Sequence, residues 1–394
     1  MVTDGYKQTD VGVIPKDWEY SFLSDVVFSI SSGKSNTIST GSNFPIYGST
    51  GIIGHRQKFD YSGQRILVAR VGANAGKVYK VDGEYCVSDN TLMIKCREDF
   101  NFEYTFHFLI QANLSSLVFG SGQPLITGGQ LKTIDILIPP KQEQQAIATA
   151  LSDTDELINS LEKLIAKKEA IKTGTMQELL TGKKRLDGFS GDWEEKTILS
   201  ITNNIIDYRG VTPKKKGMDW GDGNIVALSA GNVKKGYIDF NAECYYGSEE
   251  LYKKWMTNGD AVKDDIVFTM EAPLGNVALI PDNKKYILSQ RTILLQMDRN
   301  KYDTKYIFQV FKSKKFQNYI YNSATGSTAK GIKRKIFESL LISIPKELEQ
   351  QAISQILSEM DYTIDILKTK LSKIKAIKEG MMQELLTGKT RLKV

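Results

Sequence analysis

A nucleotide-phosphate loop needs the pattern G-x-x-x-x-G-K-[ST], whose backbone amides cradle phosphates. Two stretches approach it, "GKS" at Gly33 and "GKT" at Gly388, but the pattern's first glycine is replaced by Phe28 and Gln383. Neither is a phosphate loop. The dinucleotide pattern G-x-G-x-x-G is absent, and "GANAG" (Gly72 to Gly76) has the spacing of a strand turn. The only histidines, His55 and His107, lack nearby cysteine or carboxylate partners at metal-ligand spacing. "PDNKK" at Pro281 contains a carboxylate and lysines but reads as a hairpin turn. "IPP" lacks the Asn/Asp-Pro-Pro-aromatic arrangement of amino-methyltransferases. No catalytic constellation emerges, and the balance tilts toward binding.

Binding chemistry is better represented. The first half of the chain gathers Lys34, Ser35 and Asn36, then "YGSTGIIGHRQK" with Tyr47, Ser49, Thr50, His55 and Arg56, then Arg70, Asn74 and Gln123. The second half gathers "DYRGVTPKKKG" with Tyr208, Arg209, Thr212, Lys214 and Lys215. It continues with Asn232 and Lys234, then Arg291, then "STAKGIKRK" with Ser327, Lys330, Lys333 and Arg334. Arg, Lys, Asn and Gln read base edges, while Lys, Arg, Ser, Thr and backbone amides hold phosphates. Loops of this mixture suit a nucleic-acid groove, although charged Gly-rich loops are also what any surface offers.

The elements that must position these loops come from a chain of 394 residues, 41% hydrophobic and 25% charged. That length implies two or more domains. The net charge of +6 and a pI near 8.8 permit a polyanionic partner without demanding one. The N-terminus "MVTDGYKQTD" has no apolar export signal. Three cysteines, Cys86, Cys96 and Cys244, form no CxxC pair and fit a reducing cytoplasm.

Sliding the chain by 206 positions lays Glu143–Leu186 over Glu349–Leu392 without a gap, with 25 of 44 positions identical. "MQELLTGK" occurs in both copies, from Met176 and from Met382. Neither copy contains proline, and apolar residues step by four and three. The seam is Ile147, Leu151, Ile158, Leu161 and Ile165 in the first copy, with polar lapses at Thr154 and Lys168. In the second it is Ile353, Leu357, Met360, Ile364, Leu367, Leu371 and Ile374. This is a coiled-coil pattern. A helix of about 40 residues is a rod of roughly 60 Å. Pro139, Pro140 and Pro345 stand where the helices start, and Gly182 and Gly388 where they end. Gly174 and Gly380 are expected to bend or fray the last turns. Glu143, Gln144, Gln145, Gln177 and Glu178 are the same in both copies although off the seam. That fits either docking of two identical partners or a solvated face kept after duplication.

A second echo, "IPKDWEY" around Trp18 and "FSGDWEE" around Trp193, has an offset of 175. The second body is therefore 31 residues longer between tryptophan and helix. Both bodies show the same order: β-rich runs ("RILVARV", "TLMIK"; "DIVFTM", "TILLQ"), an aromatic helix ("FEYTFHFLIQ"; "DTKYIFQVFKS"), a Gly/Ser loop, and a strand running into proline.

The opening "YKQTDVGVIPKDW", the "IPPKQEQQAIA" and "IPKELEQQAIS" leads into the helices, and the "MQELLTGK.RL" exits resemble the specificity subunit of type I restriction–modification systems. "RGVTPKKKG" and "LSAGNVKKGYI" resemble its target-recognition loops more weakly. The resemblance covers essentially the whole chain. It implies an α+β fold: two globular mixed α/β target-recognition domains separated by two long antiparallel coiled-coil helices, an internal pseudo-two-fold repeat. The expected boundaries are 1–139 for the first domain, 140–181 for the first helix, 182–191 for a linker, 192–344 for the second domain, 345–386 for the second helix and 387–394 for a tail. Each domain would read half of an interrupted site on double-stranded DNA, with the helices as a ruler. The chain would be non-catalytic and carry no cofactor. Two methyltransferase partners would supply S-adenosylmethionine, and two translocase–nuclease partners would use ATP and Mg. Two rivals remain: a two-headed coiled-coil adaptor with a protein target, and the recognition module of a larger restriction–methylation enzyme. The second is disfavoured because the chain starts with Met and closes after a complete second unit.

Overall fold

The structure is a computed structural model that describes residues 4–120, 124–210, 212–326 and 330–392. It divides into two compact units, Met1–Lys163 with Lys368–Val394, and Leu164–Leu367. Strands are short and mixed with helices, and two helices of 39 residues each, Lys141–Leu179 and Glu347–Leu385, contribute a segment to both units.

In the first unit a four-stranded antiparallel sheet places Val27–Ser32 beside Thr91–Cys96, then Arg65–Ala69, then Val78–Val81. These strands are rich in Ile, Val and Leu, which suit a pleated, half-buried surface. Their inner face packs on helix Phe102–Gln111, whose first turn is capped by Asn101. A second sheet pairs Phe44–Gly48 antiparallel with Gly51–Arg56 and parallel with Glu84–Val87. Asp135–Ile138 then pairs with Glu19–Phe22 and leads through Pro139 and Pro140 into the first long helix.

The second unit repeats this plan on different residues. Thr202–Asp207, Thr292–Met297, Ile266–Thr269 and Val277–Leu279 form the equivalent sheet in the same order. Helix Thr304–Lys312 covers it, capped by Asp303. Ile225–Leu228 pairs parallel with Tyr286–Leu288, as its counterpart does in the first unit. The extra length lies chiefly between Leu228 and Ile266, where a loop and helix Glu249–Trp255 bury Trp255 in a separate apolar cluster.

Within each unit the two long-helix segments run in opposite directions. In the first, Lys378 bonds Asp155 at 2.5 Å and Lys375 bonds Glu162 at 2.6 Å. In the second, Lys172 bonds Asp361, while Ile353 and Leu357 pack with Leu179 and Leu180. Ile147, Leu151, Ile158, Leu161, Ile165, Ile353, Leu357 and Ile364 are buried. Met360, Leu367, Leu371 and Ile374 are half-buried. The helices run unbroken through Gly174 and Gly380, contrary to the bend expected there. A single helical glycine weakens a helix by about 1 kcal/mol relative to alanine, too little to break one of this length.

Candidate functional site

In the first unit the sheet edge formed by Ser32, Ala69 and Thr91 collects several of the singled-out residues. Gly33 turns the chain there because any side chain would sit 2.3 Å from the carbonyl oxygens of Val87 and Ser88. That turn leaves Lys34 exposed and Ser35 buried, with Ser35 Oγ accepting from the Val87 amide at 3.0 Å. Arg70 Nη1 donates to Ser32 Oγ and to the Asp89 carbonyl, both at 3.4 Å. Ser49 Oγ donates to the Asn90 carbonyl at 2.6 Å, which brings the Tyr47–Thr50 hairpin tip to the same edge. Asn74 lies on the adjoining turn Gly72–Asn74. His55 and Arg56 lie at the far end of the hairpin, opposite Pro45 and Phe44, and Arg56 is paired with Asp60 at 2.6 Å. Gln123 lies outside the described residues.

The second unit assembles the corresponding edge from Asp207, Thr269 and Thr292. Arg209 Nε and Nη2 donate to the two Asp207 oxygens at 2.9 and 2.7 Å, and Arg334 Nη1 lies 3.8 Å from the same carboxylate. Burial pulls the Asp207 carboxyl upward, but these hydrogen bonds and cations outweigh it and hold its pKa below the usual carboxylate value. Arg334 is braced by Glu338 at 2.6 Å. Arg291 is exposed, adopts a left-handed backbone (φ 71°) and stands 3.9 Å from Glu271. Lys330 lies 3.7 Å over the Tyr321 ring, and Lys333 is exposed. On the turn Pro213–Lys216, Thr212 is the cap, Lys215 Nζ donates to the Gly210 carbonyl at 3.0 Å, and Lys214 faces Asp219. Lys234 Nζ donates to the Gly231 carbonyl at 2.5 Å. Two residues are engaged inside the fold. Tyr208 is buried with its hydroxyl accepting from the Asn258 amide, and Asn232 is fully buried between Ser229 N and the Ala227 carbonyl. Ser327 lies outside the described residues.

The residues that the sequence under-read are the ones that seat each body on its helices. Glu143, 1% exposed, receives Arg391 Nε and Nη2 at 2.6 and 2.7 Å and Trp18 Nε1 at 2.9 Å. Asp17 receives Arg391 as well, twice at 2.8 Å. Glu349, also 1% exposed, receives Arg185 Nε and Nη2 at 2.6 and 2.7 Å. Each arginine therefore follows one long helix and clasps the first turn of the other. Hydrogen bonds to the carboxylates push both arginine pKa values further up. Gln144 and Gln350 act alike: each donates 2.8 Å to a proline carbonyl before its helix, Pro139 or Pro345, and accepts from a helix-capping amide, Asn101 or Asp303. Glu143 and Gln144 are thus interior joints, whereas Gln145, Gln177 and Glu178 are exposed. The identity of Glu143 with Glu349 and of Arg185 with Arg391 was the available signal.

Among the described residues no group of three or more His, Cys, Asp or Glu is placed to hold a metal, and no helix is long and apolar enough to cross a membrane. The cysteines are free. The sequence pattern of the type I restriction modification DNA specificity domain matches residues 15–173 and again residues 190–376. The chain belongs to this family. A Methanocaldococcus jannaschii protein assigned as the MjaX type I restriction enzyme specificity subunit is 26% identical, covering 99% of this chain and 97% of that one. The MjaVIII specificity subunit of the same organism is 25% identical over 83% of this chain and 79% of its own length. The crystal structure of the type I restriction–modification S subunit from M. genitalium shares the fold, with a TM-score of 0.68 at 16% identity over 96% of this chain and 97% of that one. The specificity subunit is the non-catalytic component of these systems, and this chain is such a subunit, with two specificity regions.

Proposed function

We propose that the chain reads an interrupted sequence on double-stranded DNA, one half-site per unit, and carries two methyltransferase subunits to it. The observation that carries this reading is the matched sheet edge. Both units gather basic and hydrogen-bonding side chains beside the same three strand ends, yet apart from Thr91 and Thr292, which open the middle strand in each, the residues there differ between the units. Equivalent frames with unlike reading edges suit two unlike half-sites, which a symmetric homodimer could not offer. Lys34 and Thr50 in the first unit, and Lys214, Lys215, Arg291 and Lys333 in the second, are exposed and suited to phosphate or base contact. Arg70, Arg209, Lys330 and Arg334 are partly exposed and would join them. The two long helices, acting as an antiparallel coiled coil, would set the interval between half-sites; a helix of 39 residues is about 58 Å long.

The helices also support the partner reading. Most exposed positions differ between the two copies, but Lys167, Ala170, Ile171, Gly174, Gln177 and Glu178 are identical to Lys373, Ala376, Ile377, Gly380, Gln383 and Glu384. Their spacing puts them on one helical face. Ile171 and Ile377 are 46% and 54% exposed, and a side chain at Gly174 or Gly380 would meet nothing within 4 Å. A destabilising glycine with no internal packing role suits close approach of another chain, and two equal faces suit two copies of one methyltransferase. The S-adenosylmethionine would sit on those partners, and ATP and Mg on translocase–nuclease subunits where these join.

The test is selection of bound duplexes from a random pool by the chain with its methyltransferase, at rising salt. Two short fixed blocks at a constant interval, with affinity falling steeply as counter-ions compete, is the expected result. Salt-insensitive binding without sequence preference would favour the two-headed adaptor instead.

A further inference from the structure

We propose that Arg209 reads a guanine in the half-site of the second unit, and that Asp207 is the residue that aims it. The inference rests on the DNA-reading function above and assigns one base to one side chain. An arginine carries five N–H donors in a rigid planar fork. Here the inner edge is occupied: Nε and Nη2 hold the two Asp207 oxygens at 2.9 and 2.7 Å, and the Arg209 amide adds a third bond to Oδ1 at 3.0 Å. Asp207 is itself fixed at a strand end opposite Ile293, its side chain only 10% exposed, with Arg334 3.8 Å away on the other side. The outer edge, formed by Nη1 and the remaining Nη2 hydrogen, carries no such bond among the described residues, and the side chain remains 23% exposed.

That outer edge offers two adjacent donors in one plane. In the major groove, guanine offers two adjacent acceptors, O6 and N7. Adenine pairs its N7 acceptor with an amino donor, which meets a second donor unfavourably. A fork already locked by a carboxylate loses little freedom on binding, which raises its discrimination. The first unit has no equivalent. The matching strand end holds Ser32, paired with Leu92 as Asp207 is with Ile293, and Lys34 stands where Arg209 does, two residues on. The effect is therefore confined to one half-site.

The experiment is to map methylated adenines in DNA from cells carrying the methyltransferase with wild-type chain, Arg209→Lys or Asp207→Asn. Lysine keeps the charge but not the fork. The expected wild-type motif contains a G·C pair in one half-site whose identity both variants relax by roughly 10- to 100-fold, while the other half-site stays intact. If Asp207→Asn does not fold, judged by its thermal unfolding, Arg209→Lys decides alone. A half-site without a G·C pair overturns the inference. So does a motif unchanged in Arg209→Lys, or uniform loss across both half-sites with a lowered melting temperature, which marks a merely structural ion pair. A wild-type chain that directs no split motif overturns the reading function itself, and this assignment with it.

Discussion

The clasp of the first unit and the clasp of the second are the same device fitted to different surroundings. Arg391 on Glu143 and Arg185 on Glu349 have the same two distances, and each guanidinium lies 5.8 Å from a tryptophan ring. In the first unit Trp18 is fully buried and donates to Glu143, and Asp17 adds two bonds. In the second, the buried Trp193 Nε1 finds no partner among the described residues, and Arg185 turns its spare donor to the Gly191 carbonyl at 2.7 Å. The helix ends are held by a fixed Arg–Glu pair, while the chain entering each body is free to vary around it. The two bodies of this chain differ through changes outside the pair.

The two clasps depend most heavily on their carboxylates. Glu143→Ala and Glu349→Ala each remove a buried carboxylate from a partly exposed guanidinium, and each should cost about 1–3 kcal/mol in urea unfolding. Glu143→Ala also orphans Trp18 Nε1 but leaves Arg391 its two bonds to Asp17, whereas Arg185 in Glu349→Ala keeps only the Gly191 carbonyl. A larger loss at Glu143 would show that the orphaned tryptophan outweighs the support from Asp17; a larger loss at Glu349 would show the reverse.

A smaller difference lies where the aromatic helices meet the long ones. His107 in the first unit occupies the place of Gln309 in the second. His107 is fully buried, with Asp155, Glu103, Lys378 and Lys80 around it and Ser152 Oγ 3.4 Å from Nε2. Burial pushes its pKa down to about 4, so the folded state keeps it neutral. Below about pH 6.5 the unfolded chain takes up the proton first, and stability drains away as pH falls from there toward 4. His107→Gln should flatten that decline by up to about 3 kcal/mol. Fluorescence of Trp18, the one tryptophan of the first unit, reports it. An unchanged slope would show that His107 is protonated in the fold.

The smallest effect sharpens the clasp itself. Trp18→Phe should cost about 1 kcal/mol for its hydrogen bond to Glu143. Trp193→Phe should be near neutral or stabilising, since it deletes an unpaired buried donor. Equal costs would contradict the asymmetry.

Much of this organisation is legible in the sequence, for a physical reason. A long helix writes its packing into a period, so the seam through Ile147, Leu151, Ile353 and Leu357 can be read directly, and an exact offset exposes the duplication. The main strands inside the bodies are also visible, because strands such as Arg65–Ala69 and Ile266–Thr269 are short apolar runs between turns, although their order in the sheet is not. The clasp is not legible, because a pairing between Arg391 and Glu143 has no local period; only their identity with Arg185 and Glu349 hinted at it. Asn232 and Tyr208 look like surface polar residues in a Gly-rich stretch, yet their polar groups close turns internally. Composition reports what a side chain offers, but the local fold decides to whom.

The most direct measurement is a map of methylated adenines in DNA from cells expressing this chain with its methyltransferase, against cells lacking the chain. The expected motif is split into two unlike blocks by a fixed unspecified interval and is lost when the chain is absent. A continuous motif, or methylation unchanged without the chain, would contradict this reading.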